Sequence, residues 1–268
     1  MESKGLRAAL RVWVALVLAF LFIPIVLIVL YAFNPSNIES WPISGFTLHW
    51  FALAWTDPQV RAAFWLSVRV GLFATVLALL LGSAVASALH QFRFFGREAI
   101  SLLLVLPLAL PGIITGIALN SFFSFTGVQF GTLTIVIGHT TFCIVVVYNN
   151  LIARLRRTPG SLAEASMDLG ARGWQTARHV MLPLTATALV SGALLAFALS
   201  FDEVIVTVFT AGAQNTLPLW IFGAIRLGQQ LPEVNAVVTI VILLTVIPVV
   251  IAARMAGTGG VTRSGRNI

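Results

Sequence analysis

SLAEASMDLGARGWQTARHVMLP, from Ser161 to Pro183, is a polar and basic island in a chain that is otherwise nearly all hydrocarbon. It carries Glu164-Ala165, then Gly170, then Leu182-Pro183. Of the 268 residues, 59% are hydrophobic and only 9% charged, with a mean hydropathy of +0.98. A soluble domain carries roughly a quarter charged residues. Sixteen Lys+Arg and nine Asp+Glu cannot coat a globule of this size, so the bilayer is the solvent. A membrane protein presents such an island at one face for something soluble to hold. A partner surface is therefore expected before a buried catalytic centre.

Working outward, about 20 apolar residues cross roughly 30 Å of hydrocarbon as a helix. Val12–Phe33, Val70–Leu89 and Val234–Ala253 are uncharged runs of that length. Ala99–Ala153 has no Asp, Glu, Lys or Arg and is long enough for two spans, with Asn120–Gly131 as the turn. His179–Phe201 opens another span, expected to continue past the acidic pair Asp202-Glu203. The reading is an all-α membrane protein of one domain, 1–268. Its six transmembrane helices lie at about 11–33, 62–89, 99–120, 131–152, 184–210 and 233–254, with a cytoplasmic loop at 153–183.

Positive charge sets the orientation. With both termini cytoplasmic, the inner segments hold Lys4, Arg7, Arg11, Arg93, Arg97, Arg154, Arg156, Arg157, Arg172, Arg178, Arg254, Arg263 and Arg266. Only Arg61, Arg69 and Arg226 then fall outside. Basic residues spread between apolar runs, without interleaved aromatics, do not describe a nucleic-acid surface. The N-terminal run is too long for a signal-peptide core and is read as a retained span. The single cysteine, Cys143, reads as a small core hydrophobe. The tail GTGGVTRSGRNI after Ala256 reads as disordered.

Within the island, Ser161-Leu162-Ala163-Glu164 has the pattern of a capping box. The helix it starts should carry Leu162, Ala165 and Leu169 on one face and end at Gly170 in a left-handed turn. A second short helix, Trp174 to Met181, runs up to Pro183. In the outer loop, Phe46, Trp50, Leu53 and Phe51 can share one face of an interfacial helix. In the third span, Pro107 and Pro111 predict a kinked helix, and Gly112 with Gly116 forms either a packing seam or a pore-lining hinge.

The spacing Glu164-Ala165-Ser166, three residues, Gly170, nine residues, Val180-Met181-Leu182-Pro183 resembles the EAA loop of ABC importer permeases. Ser166 stands for the second alanine and Val180 for isoleucine. Leu106–Leu119, His139–Asn150, Glu164–Ala171 and Ser200–Gly212 make the chain similar to the second permease of spermidine/putrescine-type importers, although Pro111-Gly112 stands where that branch has Pro-Asp. The resemblance implies a type I, MetI-like permease fold in a bacterial inner membrane. It also implies a paralogous permease, two copies of a cytoplasmic ATPase that bind ATP and Mg, and an extracytoplasmic substrate-binding protein. Glu164, Ala165, Ser166, Asp168, Leu169, Gly170 and Ala171 would dock the ATPase. The cargo would be putrescine or spermidine, with gamma-aminobutyrate, an opine or another small amino compound as alternatives.

Asp202 and Glu203 are the one acidic pair inside an expected span, roughly 27 Å up from Leu184. Ionised carboxylates there must face protein or water. They read either as an acidic gate for a cationic amine or as a packing pair meeting Arg226, Arg69 or the partner permease. Ser200 and Trp50 are secondary pathway candidates. His49, His90, His139 and His179 show no metal-ligand spacing. Without a G-x-x-x-x-G-K-[ST] loop or a hydrolase motif, no catalytic residue or cofactor is expected in this chain. A stand-alone secondary carrier is the competing class, but it would have no use for the island.

Overall fold

The computed structural model describes residues 4–39, 41–228 and 231–258, the side chains of Lys4 and of 246–258 excepted. Arg263, Arg266 and the tail from Gly259 lie outside the described residues, as does the side chain of Arg254. The described secondary structure is helical, in two compact units: 1–61 with 223–268, and 62–222.

The first unit contains α1 (Lys4–Tyr31), α2 (His49–Thr56) and most of α12 (Leu231–Thr258). None of the most apolar stretch of α1 is buried inside the protein. Such a helix holds in lipid because every backbone polar group is satisfied within the segment. It ends at Tyr31, and Asn34, just beyond it, is fully buried and organises the outer loop. Its Oδ1 accepts the Ser44 hydroxyl at 3.0 Å, and its carbonyl accepts Trp50 Nε1–H at 2.7 Å. The α2 face turned inward is Trp50, Phe51 and Ala54, whereas Phe46 precedes the helix and Leu53 is exposed. The expected grouping of Phe46 and Leu53 with Trp50 is thus corrected: the Asn34 bond rotates the indole into the loop.

The second unit is built on α6 (Thr132–Arg156), whose buried stripe runs from Thr134 to Leu155. Phe142, Cys143 and Val147 pack with Ala78, Ala196 and Val206. Tyr148, Leu151 and Leu155 pack with Ala86 and Leu89 of α3 (Pro58–Gln91). Cys143 is fully buried and donates its thiol to Ala196 O, in keeping with a core role.

The expected third span is not one kinked helix. α4 (Arg97–Ala109) and α5 (Gly112–Thr126) meet at 103°. Leu110 is extended, ψ 142°, because the residue before a proline is pushed out of the helical region, and Pro111 then caps α5. Pro107 stays inside α4. Gly112 and Gly116 face α10 (Ile205–Thr210): a Cβ at Gly116 would collide with the Phe209 ring, and Asn120 Nδ2 donates to Phe209 O at 2.7 Å. The glycine step is a packing seam.

The fifth span differs at both ends. α8 (Gly173–Thr176) runs through a π-helical turn, Ala177–Met181, into α9 (Leu182–Asp202) without a break. Pro183 lacks an N–H and crowds the carbonyl four residues back, and the widened turn accommodates it. At the other end the helix does not continue past the acidic pair. It stops at Asp202, Glu203 is extended at ψ 118°, and α10 starts anew. A short helix that the sequence pattern did not suggest, α11 (Leu217–Leu227), follows.

By length and composition α1, α3, α6 and Gly173–Asp202 each suffice to cross a bilayer, and the bent α4–α5 pair makes up to five. The last helix, α12, has 28 residues, with the apolar part of its described side chains at Leu231–Thr245.

Candidate functional site

The island folds between α6 and α8. α7 (Ser161–Asp168) begins one residue earlier than a capping box requires: Gly160 holds the N-cap position, and Ser161 is already helical. Ala163 and Glu164 N–H donate to Gly160 O, so the Ser161 hydroxyl is not the cap and the expected box is absent. The helix ends as expected. Gly170 has φ +88°, its N–H donates to Met167 O at 2.9 Å, and Ala171 N–H donates to Ser166 O at 3.1 Å. These are the two bonds of a Schellman motif.

The chain then turns into α8, where Arg172 N–H donates to Gln175 Oε1. Ser166 and buried Thr176 share a 3.0 Å hydroxyl bond that ties α7 to α8. Ala163 and Ser166 therefore form the inward face, and Leu162, Ala165 and Leu169 form the outward one. Leu169 is 90% exposed, Trp174 73% and Met167 51%, with Glu164 and Asp168 beside them. Exposed apolar side chains beside carboxylates on a loop have the chemistry of an interaction surface.

At the end of α6, Asn149, Asn150, Ala153, Arg154 and Arg157 frame an open depression of about 400 Å³. Arg154 Nε–H donates to Leu184 O at 2.9 Å, joining α6 to α9 across the base of the island.

At the α9–α10 break the two acidic residues part company. The Asp202 side chain is exposed. Glu203 is half-buried, and its Oε1 accepts the Val206 N–H at 2.9 Å, capping the first turn of α10. Asp202 and Glu203 thus lie at a helix end rather than on adjacent positions of a continuous helix. Arg69, one expected counter-ion, donates Nε–H to Trp65 O of its own helix.

Ser200 is buried and bonded to His139 Nδ1 at 2.8 Å. His139 Nε2 lies 2.9 Å from Thr207 Oγ1, and the Thr207 hydroxyl donates to Glu203 O at 2.7 Å. The structure so brings Ser200 and Glu203 together through His139 and Thr207, which spacing did not single out. The signal that could have found them is the run of polar groups His139, Ser200 and Thr207 within apolar helices. Trp50 belongs to the other unit, and its indole N–H is committed to Asn34 O. That unit also holds Glu233, 1% exposed with neither carboxylate oxygen hydrogen-bonded, beside Asp57, and Asn235, which donates to Glu39 at 2.6 Å.

Residues 78–257 match the family model described as the binding-protein-dependent transport system inner membrane component. The chain is 35% identical over 238 residues to the spermidine/putrescine transport system permease protein PotC of Haemophilus influenzae, covering 88% of this chain and 91% of that protein. It is 34% identical over 232 residues to the putrescine transport system permease protein PotI of Escherichia coli strain K12, covering 83% and 82%. Among solved structures, a bacterial ABC transporter involved in the import of the acidic polysaccharide alginate superposes with TM-score 0.67 at 17% identity, covering 96% and 98%. The MetNI methionine ABC transporter superposes at 0.62 and 18%, covering 77% and 97%. These two likenesses speak for the fold.

Proposed function

The chain belongs to the family of binding-protein-dependent transport system inner membrane components, and from that premise we propose that it carries polyamines, putrescine or spermidine, into the cytoplasm. It is a multi-pass protein of the bacterial inner membrane with a permease fold, and its role is transport rather than catalysis. Relatives named for spermidine and putrescine, matching along nine-tenths of both chains, support the cargo. So does the chemistry of the α9–α10 break, where an exposed and a half-buried carboxylate stand at a helix end able to meet an ammonium group.

The carrying observation for mechanism is the island. Glu164, Ala165, Ser166, Asp168, Leu169, Gly170 and Ala171 form a knob whose apolar edge faces out and whose base is clamped to α6 and α9. In this reading a cytoplasmic ATPase dimer, holding ATP and Mg, grips that knob. A paralogous permease completes the channel, and an extracytoplasmic binding protein delivers cargo. Closure of the ATPases moves the knob and rotates the permease halves, with both termini and 153–183 on the cytoplasmic side and six spans in all.

The test is reconstitution of this chain with its cognate permease, ATPase and binding protein. ATP hydrolysis should be stimulated by putrescine or spermidine more than by gamma-aminobutyrate or a neutral control. Equal stimulation by the neutral control would refute the cargo. Asp202→Asn with Glu203→Gln should weaken uptake of the cation while ATPase docking persists.

A further inference from the structure

We propose that His139 is a positioning residue: it pins the last turn of α9 to the first turn of α10 and so fixes the Glu203 carboxylate at the break. This rests on the reading of Glu203 as a cargo contact and names the device that aims it.

Hydrogen counting gives the network one direction. The Thr207 hydroxyl has a single hydrogen and donates it to Glu203 O. Towards His139 Nε2 it can only accept, so Nε2 carries the ring hydrogen. In the neutral ring Nδ1 is then the acceptor, and the Ser200 hydroxyl donates to it. The chain of bonds runs Ser200 to His139 to Thr207 to the Glu203 carbonyl, entirely among side chains no more than 3% exposed. In so dry a site each bond is strong, and removing one partner leaves the other orphaned.

The backbone at Glu203-Val204 is the only covalent link between α9 and α10, and it leaves the helical path at Glu203, which is extended. Without the imidazole, α9 and α10 lose a side chain hydrogen-bonded to both, while the packing of α10 on α5 and α6 remains. Glu203 spends Oε1 on Val206 N–H, which leaves Oε2 for a cation. Where Oε2 points follows from how α9 meets α10, and His139 is bonded to both, beside the packing of α10 on α5 and α6. The placement also reaches the island. His139 lies on α6 about 26 Å from its end at Arg156, and Ser200 lies about 40 Å from Gly173, both by helical rise. The two helices that flank the island are therefore the two that the imidazole joins.

The experiment uses the reconstituted complex with putrescine as the probe. Ser200→Ala removes one bond to the ring, Thr207→Val keeps size and removes the bonds to the ring and to Glu203 O, and His139→Phe keeps a ring and removes both of its bonds. Each should raise the putrescine KM by about fivefold to tenfold, the effect of one lost hydrogen bond, with a smaller change in maximal rate per assembled complex. Thr207→Val in a Glu203→Gln background should add little. An unchanged KM in both conservative variants, or full additivity with Glu203→Gln, would overturn the proposal. The ring itself gives a second readout that does not depend on cargo: with 15N-labelled histidine, the signal lost in His139→Phe should show Nε2 protonated and Nδ1 bare, and Thr207→Val should shift it. A protonated Nδ1 would overturn the assignment. If Glu203→Gln leaves putrescine uptake intact while the nitrogen pattern holds, the cargo reading fails and the pin stands.

Discussion

Gly170 sits at φ +88° with open space around the position of a Cβ. Replacing it with alanine therefore meets no clash, and its cost is backbone strain alone, about 1 kcal/mol. Because two bonds of the Schellman motif depend on that conformation, Gly170→Ala should lower uptake per ATP hydrolysed, and Gly170→Asn should recover most of it. A coupled uptake and hydrolysis assay checks this. Gly116 is the opposite case, a helical glycine whose side-chain space is filled by Phe209. Gly116→Ala should destabilise the protein by about 1–3 kcal/mol through overpacking, read as a lower melting temperature in detergent. Glu233 is buried and faces a second carboxyl group, Asp57. Glu233→Gln introduces a donor and removes a like charge, and should raise the melting temperature by about 2–4 °C, a gain of about 1 kcal/mol.

Among the elements, α7 is a short polar helix whose Leu162, Ala165 and Leu169 side faces away from its own protein. Leu169 is 90% exposed, so Leu169→Glu should leave the isolated subunit's melting temperature unchanged. It should instead abolish co-purification with the ATPase. Loss of the fold itself in that variant would show that Leu169 packs inward. The existence of most elements was legible from the chain: uncharged runs marked α1, α3, α6 and α9, and the glycine spacing marked the end of α7. Their terminations were less so. Ser161 looked like a cap because its neighbours fit the pattern, but one residue of helix extension at Gly160 removes the side chain from that role. Pro183 looked like a helix start, and the π turn carries the helix through it. In each case the outcome depended on hydrogen bonds whose partners are set by neighbouring turns, which residue type does not specify.

For the whole molecule, charge distribution makes a prediction that packing does not. With Cys143 fully buried, a single introduced cysteine provides a clean label. Ser161→Cys should react with a membrane-impermeant maleimide only in inside-out vesicles, and Gln59→Cys only in right-side-out ones. The reverse pattern would invert the topology. α1 has no part of its apolar window buried by the rest of the chain. It is an apolar surface that lipid can cover.

Composition and the spacing of apolar runs determined by themselves that this chain lives in a bilayer as helices, because lipid admits only helices or closed barrels and continuous apolar runs of about 20 residues fit the helix. The spacing through Glu164, Gly170 and Pro183 likewise marked the polar island and the glycine that ends its first helix. Only the tertiary structure decided that Leu110–Pro111 is a right-angle break, that Asp202 and Glu203 stand at a helix end, and that Trp50 is tied to Asn34. Those outcomes turn on contacts between residues far apart in the chain: the Phe209 ring against Gly116, and an imidazole between Ser200 and Thr207. Linear order says nothing of such contacts.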